Sequence, residues 1–481
     1  MRDLRVAVIG AGPAGIYASD ILTKQHEGAR VDLFDRLPAP YGLVRYGVAP
    51  DHPRIKEIIK ALRRVLSGDR IRFIGNVDYG TDLDLEQLQE HYDAVIFSTG
   101  ASSDRPLNIP GIDLDGSFGA ADFVSWYDGH PDVPREWPLT ARKVAVLGAG
   151  NVALDVARML AKPADEQLTT EIPQNVYDGL KANQATEVHV FARRGPAQLK
   201  FSPMEFRELS HSPSVDVIVE PEGFEIDEAG QAAINASKST KLVVNTLLKY
   251  LENEPSGAPH QIHLHLCEAP VEVLGEDGRV VGLRTEHQEF NGDATTHGTG
   301  EFRDWDVQAV YRAVGYYSSP LRDLPFDDAA GVVPNEAGRV TDVSGEAMPA
   351  TYVTGWIKRG PVGLIGHTKG CALETITHLI EDVDGLWTAQ DPAEESVIDL
   401  LEQRGRAPAL GRGAPGRPRP GPLPRHHRDE RLARLPHRLH RRHRQAQPRA
   451  RGRRRDLHAR VRDPGAPVRG SRPDSAHVHS R

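Results

Sequence analysis

Three charged residues define the chemistry open to this chain. Asp35 closes the apolar run Val31–Phe34, and Arg193 and Arg194 stand just past the run Val188–Phe191. Each run lies downstream of a glycine-rich turn that follows an earlier apolar run. Val6-Ala7-Val8-Ile9 leads into Gly10-Ala11-Gly12-Pro13-Ala14-Gly15, and Lys143-Val144-Ala145-Val146-Leu147 leads into Gly148-Ala149-Gly150-Asn151-Val152-Ala153. A strand, turn and helix of this kind present unpaired backbone N–H groups and positive potential to a pyrophosphate. The acid of the first unit accepts hydrogen bonds from a bare ribose diol, whereas the arginine pair of the second suits a 2′-phosphate. Two different dinucleotides are expected: FAD at the first turn and NADP at the second.

Positioning these groups requires two strand–helix–strand units. In the first, Gly10 permits the tight turn, Gly12 lets the backbone approach a pyrophosphate, and Gly15 lets the helix lie close to the strand. The second carries Ala153 in the third place, where the helix packs slightly farther away. The first unit continues through a helix from Gly15 to about Thr23 and an irregular loop over Pro38–Asp51. A helix from Arg54 to Leu66, opened by Pro53, and a buried strand within Asp93–Gly100 follow. The second unit begins at Lys143 and is interrupted over Pro163–Ala185. Residues 237–285 alternate between helical and strand patterns. Thr351–Gly355 reads as a last buried strand before a helix from about Lys369 to Glu381. The fold class is α/β, with two nested Rossmann-like dinucleotide-binding domains. Residues 1–105 and 315–403 form the FAD domain, residues 106–314 form the inserted NADP domain with its connections, and 404–481 form a tail.

The bulk properties narrow the function. The 481 residues carry a net charge of −8, but residues 404–481 hold about 23 Arg against 5 acids and no Lys. The tail is thus roughly +18 and the rest roughly −26. With no Ile, Phe, Tyr or Trp, the tail cannot bury enough apolar surface to offset its ordering entropy, so disorder is expected. Its composition changes abruptly inside a helical stretch, Glu394 to Arg404, which favours a shifted reading frame over an arm that binds nucleic acid. The only cysteines, Cys267 and Cys371, exclude a C-x-x-C pair or an iron–sulfur cluster held by this chain alone, and no metal site is expected. No run approaches the ~18–20 apolar residues that span a bilayer. The first strand begins within a few residues of Met1 and leaves no room for a leader, so a cytoplasmic protein is expected.

Longer motifs add a family resemblance. Tyr41-Gly42-Leu43-Val44-Arg45-Tyr46-Gly47-Val48-Ala49-Pro50-Asp51-His52-Pro53 resembles a signature of the adrenodoxin-reductase-like ferredoxin–NADP reductases. So do Gly150-Asn151-Val152-Ala153-Leu154-Asp155-Val156-Ala157-Arg158, Arg193-Arg194-Gly195-Pro196 and Gly355-Trp356-Ile357-Lys358-Arg359-Gly360-Pro361-Val362-Gly363. The resemblance implies an enzyme that passes a hydride from NADPH to the N5 atom of FAD and then single electrons to an iron–sulfur ferredoxin. It implies FAD contacts from Ala14, Asp35, Leu43, Tyr79, Trp356, Gly363, Leu364 and Ile365. It implies NADP contacts from Ala149, Gly150, Asn151, Val152, Arg193, Arg194, Glu205 and Gly363. A residue without a side chain at Gly363 would let the nicotinamide approach the flavin to the ~3–3.5 Å that hydride transfer needs. His52 and Glu205 are the candidate catalytic groups near the nicotinamide. His52 either orders the site and manages flavin protons or is a helix-start residue with structural hydrogen bonds, and Trp356 is either a flavin contact or a core aromatic.

Ferredoxin is the expected partner, and family members dock an acidic ferredoxin on a basic surface. Arg54, Lys56, Lys60, Arg63, Arg64, Arg207, Lys358 and Arg359 are the candidate cations here. The resemblance favours a monomer. The alternative enzyme is the electron-input subunit of a larger reductase, like the small subunit of glutamate synthase. Such a subunit would normally bring cysteine-bound clusters, which two cysteines cannot provide.

Overall fold

The apolar runs that precede the two glycine turns are central strands of two parallel sheets. A computed structural model of the chain describes residues 2–363 and 365–411. Leu4–Ile9 is buried at every position, as expected of a strand covered on both faces, and Lys143–Leu147 is buried beyond its first residue. The first sheet runs, in spatial order, Asn335–Glu336, Arg339–Thr341, Ala347–Val353, Ala94–Phe97, Leu4–Ile9, Ala29–Asp35, Ile71–Gly75 and Ala409–Gly411. Ala347–Val353 through Ile71–Gly75 are parallel, and the outer strands are antiparallel. Both ends of the described chain therefore build one sheet. Helix Pro13–Gln25 packs against helix Ile365–Glu381 on one side of it.

The second sheet is drawn from the middle of the chain and is parallel throughout. Its order is Ser117–Gly119, Ala309–Arg312, Lys143–Leu147, Glu187–Ala192, His260–Leu266 and Val215–Val219. Between Lys143–Leu147 and Glu187–Ala192 the unit's own helix, Asn151–Ala161, is followed by the expected interruption, which contains a short 3₁₀ turn over Ala164–Thr169 and helix Gln174–Lys181. The mixed pattern after residue 237 resolves into helix Lys238–Glu252, strand His260–Leu266 and an antiparallel meander of Glu268–Glu276, Arg279–Phe290 and Thr296–Trp305. The meander covers Phe191 and Leu147 of the parallel sheet with Val273, Leu283 and Trp305.

Two expectations change. The helix expected over Arg54–Leu66 is two pieces, Pro53–Lys56 and Ile58–Leu66, parted at Glu57. The tail does not begin to lose structure at Arg404. Arg404 Nη1 donates to the Asp82 carbonyl at 2.8 Å and to Gln87 Oε1 at 3.0 Å, Arg406 Nε pairs with the buried Asp82 carboxylate at 2.5 Å, and Ala409–Gly411 extends the first sheet. Composition missed this because backbone pairing and an arginine–carboxylate bond need no apolar side chain. The rest of the expected tail, from residue 412, lies outside the described residues. Among the described residues no helix is long and apolar enough to cross a membrane, and no group of three or more His, Cys, Asp or Glu could hold a metal ion.

Candidate functional site

At the first turn the three glycines divide the geometry between them. Gly10 takes a φ of +107°, and a Cβ there would lie 2.6 Å from the Ser98 carbonyl oxygen. A Cβ on Gly15 would lie 2.1 Å from the Gly10 carbonyl oxygen and 2.5 Å from Ser98 Oγ, so the helix sits on the strand only because that side chain is missing. At Gly12, which caps helix Pro13–Gln25, nothing lies within 4 Å of a Cβ. That open lip in front of free N–H groups fits a pyrophosphate. Asp35 closes strand Ala29–Asp35; its Oδ2 accepts from the Ala11 N–H at 2.8 Å and its Oδ1 from the Leu37 N–H at 2.9 Å. Burial pushes the Asp35 carboxyl up, while those two bonds oppose the shift. Each oxygen keeps a lone pair for a ligand hydroxyl.

Other expected FAD-site residues gather on this turn. The Tyr41 N–H donates to the Ala11 carbonyl at 2.8 Å, and a Cβ on Gly42 would meet Gly12 Cα at 3.1 Å, which places Leu43, the first residue of the short helix Leu43–Tyr46, beside the glycines. Gly355 presses against Ala14, its Cβ position lying 2.6 Å from that methyl group. Trp356 opens the next helical turn, Trp356–Arg359, and Ile365 opens helix Ile365–Glu381. Gly363 has a φ of +87°, and a Cβ there would crowd the His367 ring at 3.2 Å. Leu364 lies outside the described residues. The Tyr79 hydroxyl donates to the Arg322 carbonyl at 2.9 Å and its ring stands edge-on to Phe97 of the first sheet.

The second turn repeats the design with Ala313 in the role of Ser98. A Cβ on Gly148 would lie 2.2 Å from the Ala313 carbonyl oxygen, and Gly150, capping helix Asn151–Ala161, again has nothing within 4 Å. The Asn151 side chain accepts the Ser202 N–H at 2.7 Å, and Ser202 Oγ accepts the Glu205 N–H at 3.3 Å. Ala149 accepts the Lys200 N–H at 2.9 Å. Arg193 is exposed and Arg194 half-buried past strand Glu187–Ala192, and neither forms an ion pair with a described residue. The two sets meet at one apolar cluster: Val152 and Trp356 both pack on Ala101, Ala121 and Tyr316.

His52 lies where the loop after the first unit meets helix Asn151–Ala161. Its Nε2 is 3.0 Å from Asp155 Oδ1 and 2.7 Å from Arg158 Nη2, and its Nδ1 is 3.2 Å from Glu208 Oε2. A protonated ring donates to both carboxylates, whereas a neutral ring with its proton on Nδ1 accepts from Arg158. Burial works against the charged ring, but the hydrogen bond to Asp155 and the charges of Asp155 and Asp51 win over burial and Arg158, holding His52 above its ordinary value. Arg158 also grips Asp51 through Nε at 2.8 Å and Nη2 at 2.9 Å. Burial would raise Asp51, yet the Arg158 guanidinium, helped by Lys162, holds it well below the usual carboxylate range. Glu205 is buried beside this network, and its Oε2 has no hydrogen-bond partner among the described residues. Burial, followed by the Asp155 charge, pushes Glu205 up.

The acids facing the imidazole are therefore Asp155 and Glu208, the latter one turn beyond Glu205. Asp155 and Arg158 stand three residues apart within the quoted motif, and that spacing was the signal for a shared helix face. Glu208 offered no comparable signal. The basic surface also needs correction. Lys56 is buried between Asp128 at 3.0 Å and Glu171 at 2.8 Å, and Lys358 is buried against Glu374 at 2.6 Å. Lys60 pairs with Glu57, Arg207 donates to the Pro203 carbonyl, and Arg359 donates to the Val362 carbonyl. Arg54, Arg63, Arg64 and Arg207 remain exposed and without ion pairs to described residues.

Comparison with known proteins agrees with this geometry. Residues 4–242 match the model of the pyridine nucleotide-disulphide oxidoreductase family. The chain is 38% identical over 422 residues to the mitochondrial NADPH:adrenodoxin oxidoreductase of Arabidopsis thaliana, covering 84% of this chain and 87% of that one. It is 39% identical over 404 residues to the NADPH-ferredoxin reductase FprA of Mycobacterium tuberculosis, covering 82% of this chain and 86% of that one. The solved structure of Mycobacterium tuberculosis FprA in complex with NADPH superposes with a TM-score of 0.78 at 36% identity, over 85% of this chain and 92% of that chain. The chain belongs to the adrenodoxin-reductase-like family of ferredoxin–NADP reductases.

Proposed function

We propose that this protein is an FAD-dependent reductase that moves electrons between NADPH and a ferredoxin-type iron–sulfur protein. The observation that carries this reading is the pair of open glycine lips, at Gly12 and Gly150, whose flanking residues Trp356 and Val152 pack on one cluster. Two dinucleotides laid over these turns would bring their reactive rings to the same place.

The chain's own groups have distinct parts in that reading. Residues 1–105 and 315–403, extended by the strand Ala409–Gly411, would form the FAD domain and 106–314 the NADP domain. Gly10, Gly12, Ala14, Gly15 and Asp35 would hold the FAD pyrophosphate and ribose, with Leu43, Tyr79, Trp356, Gly363, Leu364 and Ile365 lining the rest. Ala149 to Val152 would take the NADP pyrophosphate, Arg193 and Arg194 the 2′-phosphate, and Glu205, through its unpartnered oxygen, the carboxamide of the nicotinamide. When bound, FAD would supply the hydride-accepting and one-electron chemistry. His52, placed between Asp155, Arg158 and Glu208, can hold or release a proton beside that site without moving. Arg54, Arg63, Arg64 and Arg207 are the candidate cations left without ion pairs to described residues to meet an acidic ferredoxin, within about a Debye length of ~8–10 Å. We further propose that the protein acts as a monomer in the cytoplasm.

The purified chain should be yellow with a flavin spectrum and should support ferredoxin-dependent cytochrome reduction with NADPH in strong preference to NADH. A colourless protein that cannot be reconstituted with FAD would refute the reading. Equal rates with both nicotinamides would refute the role given to Arg193 and Arg194.

A further inference from the structure

We infer that Lys200 is a third cationic contact for the coenzyme, one that takes the pyrophosphate and so serves NADP and NAD alike. This rests on the second glycine turn being the NADP site. Residues 199–201 run extended past that turn: Lys200 forms an isolated parallel bridge with Gly150, and its N–H donates to the Ala149 carbonyl at 2.9 Å. Leu199 and Phe201 are buried at 8% and 5% exposure, so the alternation of an extended segment sends the Lys200 side chain the other way, and it is exposed. The segment is also tied to the first residue of helix Asn151–Ala161 by the bond from the Ser202 N–H to Asn151 Oδ1.

The position therefore places an ammonium group on a flexible four-carbon stem beside a helix N-terminus whose lip is open. Lys200 forms no ion pair with any described residue, although Asp and Glu outnumber Lys and Arg in the chain by 67 to 59. Arg193 and Arg194 end the neighbouring strand, where the adenosine ribose would lie, whereas Lys200 is hydrogen-bonded to the turn itself. The three cations thus divide between the phosphate that distinguishes NADP and the pyrophosphate that both coenzymes share.

The test is equilibrium binding to the purified, oxidised holoenzyme, by calorimetry, of NADP⁺, NAD⁺ and adenosine 2′-monophosphate, which lacks a pyrophosphate. Lys200→Met should weaken NADP⁺ and NAD⁺ by a similar factor, about fivefold, and leave adenosine 2′-monophosphate untouched. Lys200→Arg should restore most of the loss. Arg194→Met should do the reverse, weakening NADP⁺ and adenosine 2′-monophosphate while sparing NAD⁺. Parent-like binding of both dinucleotides by Lys200→Met would overturn the inference, and so would a loss confined to the 2′-phosphorylated probes. Failure of the parent protein to bind any of the three would instead refute the second turn as a coenzyme site.

Discussion

Replacing Arg158 by Met tests whether the junction at His52 is held by charge. The Arg158 side chain is 6% exposed and holds both oxygens of Asp51, at 2.8 and 2.9 Å, and Asp155 Oδ1 at 2.8 Å. Methionine keeps the packing of the stem but leaves Asp51, 8% exposed, with Lys162 alone at 3.4 Å. Exposed ion pairs contribute only about 0–1 kcal/mol. Removing one partner of a buried pair strands a charge and costs about 3–5 kcal/mol, which is the loss expected at pH 7. The pH dependence gives a second check. In the parent the depressed Asp51 contributes stability that is present above the unfolded carboxylate range and lost as pH falls through its folded value. In the variant Asp51 loses the guanidinium that holds it down and titrates upward, so protonation relieves the stranded charge and the gap between the proteins narrows from pH 7 to pH 5. Urea denaturation followed by both fluorescence and circular dichroism at the two pH values measures it. A gap below about 1 kcal/mol, or one of equal size at both pH values, would refute the reasoning.

Two further outcomes follow from particular contacts. Gly15→Ala forces a methyl group to 2.1 Å from the Gly10 carbonyl oxygen, so it should cost about 1–3 kcal/mol and lower flavin content, whereas Gly12→Ala should leave the flavin-free protein as stable as the parent and impair only flavin retention. Flavin absorbance after gel filtration and thermal melts of the flavin-free proteins separate the two. His189, stacked on His263 and hydrogen-bonded to His265 at 3.0 Å, is held down to about 4 by burial and by the neighbouring His263. Its contribution is fully present above the ordinary histidine value and lost as pH falls from about 6.5 to about 4, amounting to about 3 kcal/mol. His189→Phe should flatten the fall in stability over that window, and an unchanged slope would show that the stack does not titrate as described.

Much of the site was legible in the sequence because its parts are local. The turns at Gly10–Gly15 and Gly148–Ala153 are written in contiguous residues, each glycine answering to a backbone angle or a close approach within its own unit. The strand ends carrying Asp35 and Arg193-Arg194 followed from the apolar runs before them. Trp356 and Gly363 were assigned from motif resemblance; the structure adds that Gly355, next to Trp356, lies close against Ala14, which brings the distant segment onto the first turn. The start of the tail was misjudged because average composition hides a short strand and the arginine that reaches Asp82.

What the chain of residues determined alone was the presence of two glycine-rich strand–turn–helix units, the first followed by an acid and the second by an arginine pair at the end of the next strand. Only the tertiary structure decided that Glu208 and not Glu205 faces His52, that Arg158 binds Asp51 from more than a hundred residues away, and that Lys56 and Lys358 are spent inside the protein while Arg54, Arg63 and Arg64 stay free. The reason is physical. A glycine turn is specified by the backbone geometry of neighbouring residues, whereas the partner of a buried charge is chosen by whichever elements the sheets press together.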